Sequence, residues 1–172
     1  MRTICFTIAL TFVMAACQSQ PKTEASTPEN ARLTTIVQEA SITDLQGNLV
    51  NLADYKGKIV MLDFWETWCT PCIRSFPGMA KAMNEHPNDF VILAISPGFM
   101  DSNDDMQTFI DANPYPFVWA KGVDLATDLA IEGIPYKVFL DRAGNVHSVE
   151  MGSRGPERDY EKLIELISSL PN

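Results

Sequence analysis

Apolar positions along this 172-residue chain fall into two kinds of pattern. Ile59 to Phe64 and Phe90 to Ile95 are short, nearly continuous apolar runs, the pattern of strands covered on both faces. Between them Ile73, Phe76, Met79, Ala80 and Met83 recur at helical spacing and predict a helix from about Cys69 to Glu85, kinked by Pro77. Asp101 to Asp105 opens another helix, with Met106, Phe109 and Ile110 inward and Asn113-Pro114-Tyr115-Pro116 as its stop. Phe117 to Ala120 predicts a short strand and Asp124 to Ala130 a short helix. Tyr136 to Leu140 and Val146 to Met151 flank the turn Asp141-Arg142-Ala143-Gly144-Asn145 and predict a hairpin. Pro156 suits the first turn of a last helix, whose buried stripe is Leu163, Ile164, Leu166 and Ile167. Upstream, Ile36 to Ile42 and Leu49 to Leu52 predict two short strands around the turn Asp44-Leu45-Gln46-Gly47-Asn48. Asp54 to Lys58 is a further turn. This order predicts an α/β domain with a mixed central sheet and helices on both faces.

The front of the chain follows other rules. Arg2 precedes an apolar run from Ile4 to Ala16 that is too short to span a bilayer. Met14-Ala15-Ala16-Cys17 resembles a bacterial lipobox, although Met at the first box position departs from the more usual Leu. The expectation is a signal peptide over residues 1–16 and lipidation of Cys17, the alternative being a plain export signal cut near Ala16. Residues 17–32 are poor in large apolar side chains and are expected to be a flexible tether, with the domain spanning 33–172. The protein is therefore expected in the bacterial cell envelope, facing the periplasm and held by its lipid. The formal charge of −9, from 13 basic and 22 acidic residues, offers no basic face for nucleic acid. Nothing in the sequence calls for more than a monomer.

Cys5 and Cys17 belong to the leader, which leaves Cys69 and Cys72 in the globular part. Two cysteines with two residues between them can close a small ring at a helix start. Unpaired N–H groups and the helix dipole there favour a thiolate, and the thiolate is the nucleophile. Cys69 is expected to exchange with a substrate disulfide and Cys72 to resolve the mixed disulfide. Pro71 is tolerated in the first helical turn. Zinc would need two further ligands, and His86 and His147 have no partner at ligand spacing, so no metal is expected. A purely structural bridge over so small a loop would add little stability.

Leu62-Asp63-Phe64-Trp65-Glu66-Thr67-Trp68-Cys69-Thr70-Pro71-Cys72 resembles the active-site segment of the thioredoxin superfamily. Asp44-Leu45-Gln46-Gly47, Leu52, Tyr55-Lys56-Gly57-Lys58 and Gly133-Ile134-Pro135 are similar to its TlpA/ResA branch of membrane-tethered thiol–disulfide oxidoreductases. The resemblance covers Leu33 to the end. It implies a thioredoxin-like fold with an added N-terminal β-hairpin. Cys69 would be the exposed nucleophile and Cys72 the resolving thiol. Asp63 would be a buried carboxylate that relays the proton of Cys72, unless it is a strand-end residue in solvent. Trp68 would shield the active sulfur or simply pack. Pro135 would be a cis-proline, and Ile134 would offer its main chain to an extended substrate. No cofactor is implied beyond the redox-active disulfide. Partners would be protein thiols and disulfides and a membrane-side electron donor. Reduction is the expected direction, apocytochrome c cysteines being one possible target.

Three positions depart from that branch. Ser75 stands where a Glu is common, Tyr136 follows Pro135 where Thr is usual, and Glu66 replaces a small residue. Glu66 near the sulfurs would disfavour the thiolate, whereas a solvated Glu66 would not. Tyr136 and Ile134 could narrow the substrate groove. The cluster Asp101, Asp104 and Asp105 lacks the glycine and terminal Glu of a calcium loop and is expected to be a solvated helix start. Two rival functions remain: a peroxidase of the related peroxiredoxin group, although Trp68-Cys69 lacks its Pro, Thr and Arg setting, and a binding module with an inert disulfide.

Overall fold

The computed structural model describes residues 27–170; the leader, Cys17 and the tether up to residue 26 lie outside them. Five strands form one sheet in the order β3-β2-β1-β4-β5. They are β1 (Ile59–Phe64), β2 (Phe90–Ser96), β3 (Val118–Lys121), β4 (Tyr136–Leu140) and β5 (Val146–Met151). The first three are mutually parallel, and β4 and β5 run antiparallel as the expected hairpin. Five helices surround them: α1 (Pro28–Glu39), α2 (Thr70–Glu85), α3 (Asn103–Ala112), α4 (Val123–Asp128) and α5 (Pro156–Ser169). The α/β class with a mixed sheet and helices on both faces is the one the sequence predicts.

Every residue of β1 and β2 is buried, and alternate residues serve different cores. Val60, Leu62, Phe64, Leu93 and Ile95 pack with Leu33 and Val37 of α1 and Leu125 of α4. Ile59, Met61, Trp65, Ile92 and Ala94 pack with Phe76 and Met79 of α2 and Leu163 and Ile167 of α5. Asp63 therefore lies on the α2 side by register.

The start of the domain differs from expectation. Residues 28–32 of the expected tether and most of the expected strand Ile36 to Ile42 form α1. Thr27 caps it, accepting from the Asn30 N–H, and Pro28 fills its first turn. Leu33 and Val37, four residues apart, supply its buried stripe. Its polar side covers the outer edge of β5: Asn30 Nδ2 donates to the His147 carbonyl at 2.9 Å, and Thr34 Oγ1 accepts from the Val146 N–H at 2.8 Å. The expected N-terminal hairpin shrinks to a turn at Asp44–Asn48 with Thr43 bridged to Leu49 and, on the other side, to Lys121 at the β3 edge. Leu52–Tyr55 is a 3-10 turn capped by Asn51; it takes in the expected turn at Asp54 and removes Leu52 from the expected strand.

Helices α2 and α5 touch backbone to backbone at Gly78. A Cβ there would fall on the Pro156 carbonyl, 2.7 Å from its carbon. Gly78→Ala is accordingly expected to destabilise by about 1–3 kcal/mol through overpacking, although alanine favours an exposed helix by about 1 kcal/mol. Urea unfolding with an unchanged m-value checks this; a stabilised variant would mean the helices part freely.

Candidate active site

Chain enters the site from the carboxyl end of β1 and turns through Trp65–Trp68 into α2. Cys69 is the N-cap of α2, and its sulfur accepts the Cys72 N–H at 3.3 Å. That contact places an orphan amide of the first turn on the Cys69 sulfur, a position where the helix end favours negative charge. Cys69 and Cys72 are joined as a disulfide with Cα atoms 5.3 Å apart. Where the resemblance implied an exposed nucleophile, Cys69 is only 2% accessible in this disulfide state, and Cys72 is fully buried. Pro71 lies in the first turn and Pro77 inside the helix. Behind the sulfurs Trp65 packs on Phe76, Phe109 and Trp119, with ring centroids 4.9–5.1 Å apart.

The Ile134–Pro135 peptide is cis, immediately before β4. Ile134 is half-buried and packs against the cluster that contains both cysteines. Among the described residues neither its N–H nor its carbonyl has a hydrogen-bond partner, while the Pro135 carbonyl accepts from Gly152 at 2.8 Å. Ile134 thus carries free main-chain groups beside the redox pair. Tyr136 faces the other side of the sheet, edge-on to Phe64 at 6.1 Å and with the α1-side core. Tyr136 therefore does not face the sulfurs together with Ile134, contrary to the expectation of a groove narrowed by both.

Asp63 is fully buried, not a solvated strand end. Directly across the β1–β4 ladder stands Lys137, itself 5% exposed, with its ammonium 3.2 Å from Oδ1. Among the described residues that ammonium is the single group set against the carboxylate, which no backbone amide or hydroxyl reaches. Burial pushes the Asp63 carboxyl above its ordinary value, against the opposing charge of Lys137; the Asp159 charge adds to the rise. Lys137 lines a hollow of about 270 Å³ shared with Glu150, Asp159 and Lys162. Sequence reasoning missed Lys137, though a lysine within the apolar run Tyr136–Leu140 was the available signal.

Glu66 overturns the expectation of a solvated side chain. It is fully buried, and every group on it is a donor. Trp68 Nε1 donates to Oε2 at 2.6 Å, the Phe99 N–H to Oε1 at 2.6 Å, the Met100 N–H to Oε2 at 2.9 Å, and Ser96 Oγ to Oε1 at 3.3 Å. Trp68 itself is half-exposed beside Cys69. Asp101, expected in solvent, accepts the Thr67 N–H at 2.6 Å and hydroxyl at 2.7 Å. Asp105 completes a capping box with Ser102. Ser75 is buried and donates to the Cys72 carbonyl at 2.6 Å, leaving no carboxylate at that position. His86 ends α2, and His147 lies on β5. No group of three or more His, Cys, Asp or Glu among the described residues could hold a metal ion.

Residues 33–149 match the AhpC/TSA family. The chain belongs to that family. Within it, the chain is 30% identical over 129 residues to the thiol-disulfide oxidoreductase ResA of Halalkalibacterium halodurans, covering 73% of this chain and 72% of that one. Among solved structures, the thioredoxin domain of a Bacteroides vulgatus thiol-disulfide oxidoreductase aligns with TM-score 0.63 and 25% identity, over 76% and 95% of the two chains. A thiol:disulfide interchange protein from Bacteroides sp. aligns with the same score and identity, over 76% and 86%. The fold of this AhpC/TSA member is thioredoxin-like, and its relatives carry thiol–disulfide names.

The pH dependence of stability follows from Asp63. Its raised value means the folded state holds this proton where the unfolded chain releases it. The contribution is full below the ordinary value of 3.8 and is lost as pH rises through the folded value. Relative to Asp63→Asn, the wild type is expected to lose up to about 1.4 kcal/mol per pH unit across that window. Paired denaturant titrations from pH 3.5 to 8 measure it; a wild type that instead gains on Asp63→Asn as pH rises would mean Lys137 outweighs burial.

Proposed function

We infer that this chain is a protein-disulfide reductase of the cell envelope, working through the Cys69–Cys72 couple. The observation that carries the reading is a closed disulfide at the first turn of α2, with the Cys69 sulfur on an unpaired helix amide and the Ile134 main chain free beside it. In the reduced protein, the Cys69 thiolate attacks one sulfur of a substrate disulfide and expels the other as a thiolate. Cys72 then gives up its proton and attacks Cys69, freeing the reduced substrate and closing the ring. Two electrons pass from the dithiol to the substrate, and a membrane-side dithiol donor returns them.

Asp63 is the base that takes the Cys72 proton. A buried carboxyl with a raised value suits that exchange better than an ordinary aspartate would. Lys137 offers the proton a way on, between Asp63 and the charged hollow. Trp68 and Ile134 flank the sulfurs as substrate contacts, and cysteines of apocytochrome c fit as targets.

Insulin reduction by the dithiol form tests this. Cys69→Ser is expected to abolish it, at least about a thousandfold. Cys72→Ser should consume one equivalent of substrate and stall as a mixed disulfide visible by mass spectrometry. The AhpC/TSA match makes peroxidase activity the second reading. Hydrogen-peroxide turnover surviving Cys72→Ser would favour it, and insulin left intact by the wild type would favour an inert binding module.

Attachment at Cys17 accounts for the charge-poor leader and the polar stretch behind it. Labelled palmitate should enter the wild-type protein in cells and not Cys17→Ser. Label absent from both would remove the anchor.

A further inference from the structure

The loop after β2 is built in an unusual way. Residues 97–100 carry Phe99 and Met100, 42% and 77% exposed, next to Trp68 at 50%. Large apolar side chains held this far into water need a reason. Gly98, in the left-handed region at φ 76°, lies against Val123, another exposed apolar residue; a Cβ there would come 2.7 Å from Val123 Cγ2. Trp68, Phe99 and Met100 thus gather at the carboxyl ends of β1 and β2 near the start of α2, tied through Glu66, while Val123 of α4 lies against the loop at Gly98.

One side chain organises the group. The Glu66 carboxylate takes the Phe99 and Met100 amides and the Trp68 indole, while its main-chain carbonyl takes the Cys69 N–H at 2.9 Å. Asp101 closes the far end of the loop onto Thr67. A fully buried carboxylate is costly to desolvate unless donors surround it, and here most of those donors are the loop amides and the indole. The loop, the indole and the cysteine cap are therefore fixed relative to one another before any partner arrives.

We propose that Glu66 is a positioning residue that locks Trp68, Phe99 and Met100 into an apolar rim, which selects protein disulfides whose cysteine is flanked by a large apolar residue. This rests on the reductase reading and deepens it. The occupant is an extended segment of a protein substrate. Its backbone meets Ile134 on one side of the sulfurs, and an apolar neighbour of its cysteine seats against the rim on the other. Continuity with Cys69 singles out this occupant, since Trp68 precedes Cys69 in the chain and stands half-exposed beside it, where an extended segment reacting at that sulfur must lie. A small hydrophilic disulfide would reach the sulfur without using the rim.

Glutamine at position 66 preserves shape but exchanges one acceptor for a donor. Its amide NH₂ must then face either the indole N–H or the loop amides, so one of them is released. Phe99→Ser with Met100→Gln removes two of the rim's three apolar side chains while leaving the Glu66 contacts in place.

Two disulfide-bridged peptides, identical except for Leu or Ser beside the target cysteine, provide the test, read as the ratio of their kcat/KM values. The wild type is expected to favour the Leu peptide by roughly tenfold, the scale of burying part of one leucine side chain. The Phe99→Ser/Met100→Gln variant should bring the ratio to within about twofold of one. Glu66→Gln should lower the ratio and speed hydrogen exchange of the Phe99 and Met100 amides by roughly tenfold, with β1 and β2 exchange unchanged. A wild-type ratio near one, with both peptides reduced, overturns the rim and leaves the reductase standing. Neither peptide reduced removes the reductase reading and the rim with it. A ratio unaltered by the loop substitutions, with binding to phosphatidylglycerol vesicles lost instead, assigns the patch to a membrane surface and overturns the proposal.

Discussion

Five residues, Trp65 to Cys69, join the end of β1 to the first residue of α2, and the site depends on that short reach. β1 is buried on both faces and cannot slide without turning its side chains into the wrong core. Its end is therefore fixed, and the helix must begin where the connection allows. The first turn of any helix has amides without partners. Here a sulfur occupies the capping position, so the same geometry that starts the helix favours a charged Cys69. The parallel partner β2 ends beside β1, and β4 begins beside it in the opposite direction. The loop after β2 and the Ile134–Pro135 turn consequently arrive on either side of the same sulfur.

Two buried carboxylates stand close in sequence and are treated in opposite ways. Glu66 is surrounded by donors, so its charge is compensated and its role is to hold neighbours in place. Asp63 has a single cation across the ladder and no amide or hydroxyl donor among the described residues. Burial raises the Asp63 carboxyl above its ordinary value against the pull of that cation. Three residues apart, one carboxylate holds a loop and the other faces a lone ammonium.

Much of this was legible in the chain. Apolar runs marked β1 and β2, the stripe from Ile73 to Met83 marked α2, and Trp68-Cys69-Thr70-Pro71-Cys72 marked the chemistry. Local pattern failed where long-range partners decide. Ile36 to Ile42 has the composition of a strand, but Leu33 and Val37 make a helical stripe once the core they pack on exists. Glu66 and Asp101 carry charge and so invite a surface reading. Their partners are main-chain amides about thirty residues distant, which no single-sequence periodicity reveals. Lys137 offered a visible anomaly in an apolar strand, yet its counterpart becomes known only from the β1–β4 register.

Both margins of the sheet are already taken. α1 spends Asn30 and Thr34 on β5, and Thr43 bridges to Lys121 at β3. A visiting chain therefore finds no long ladder to extend and must make do with a few groups around one sulfur. Contacts of that size hold partners briefly. For a thiol–disulfide oxidoreductase that must let go of each client before the next exchange, a short residence time keeps departure from becoming the slow step of the cycle.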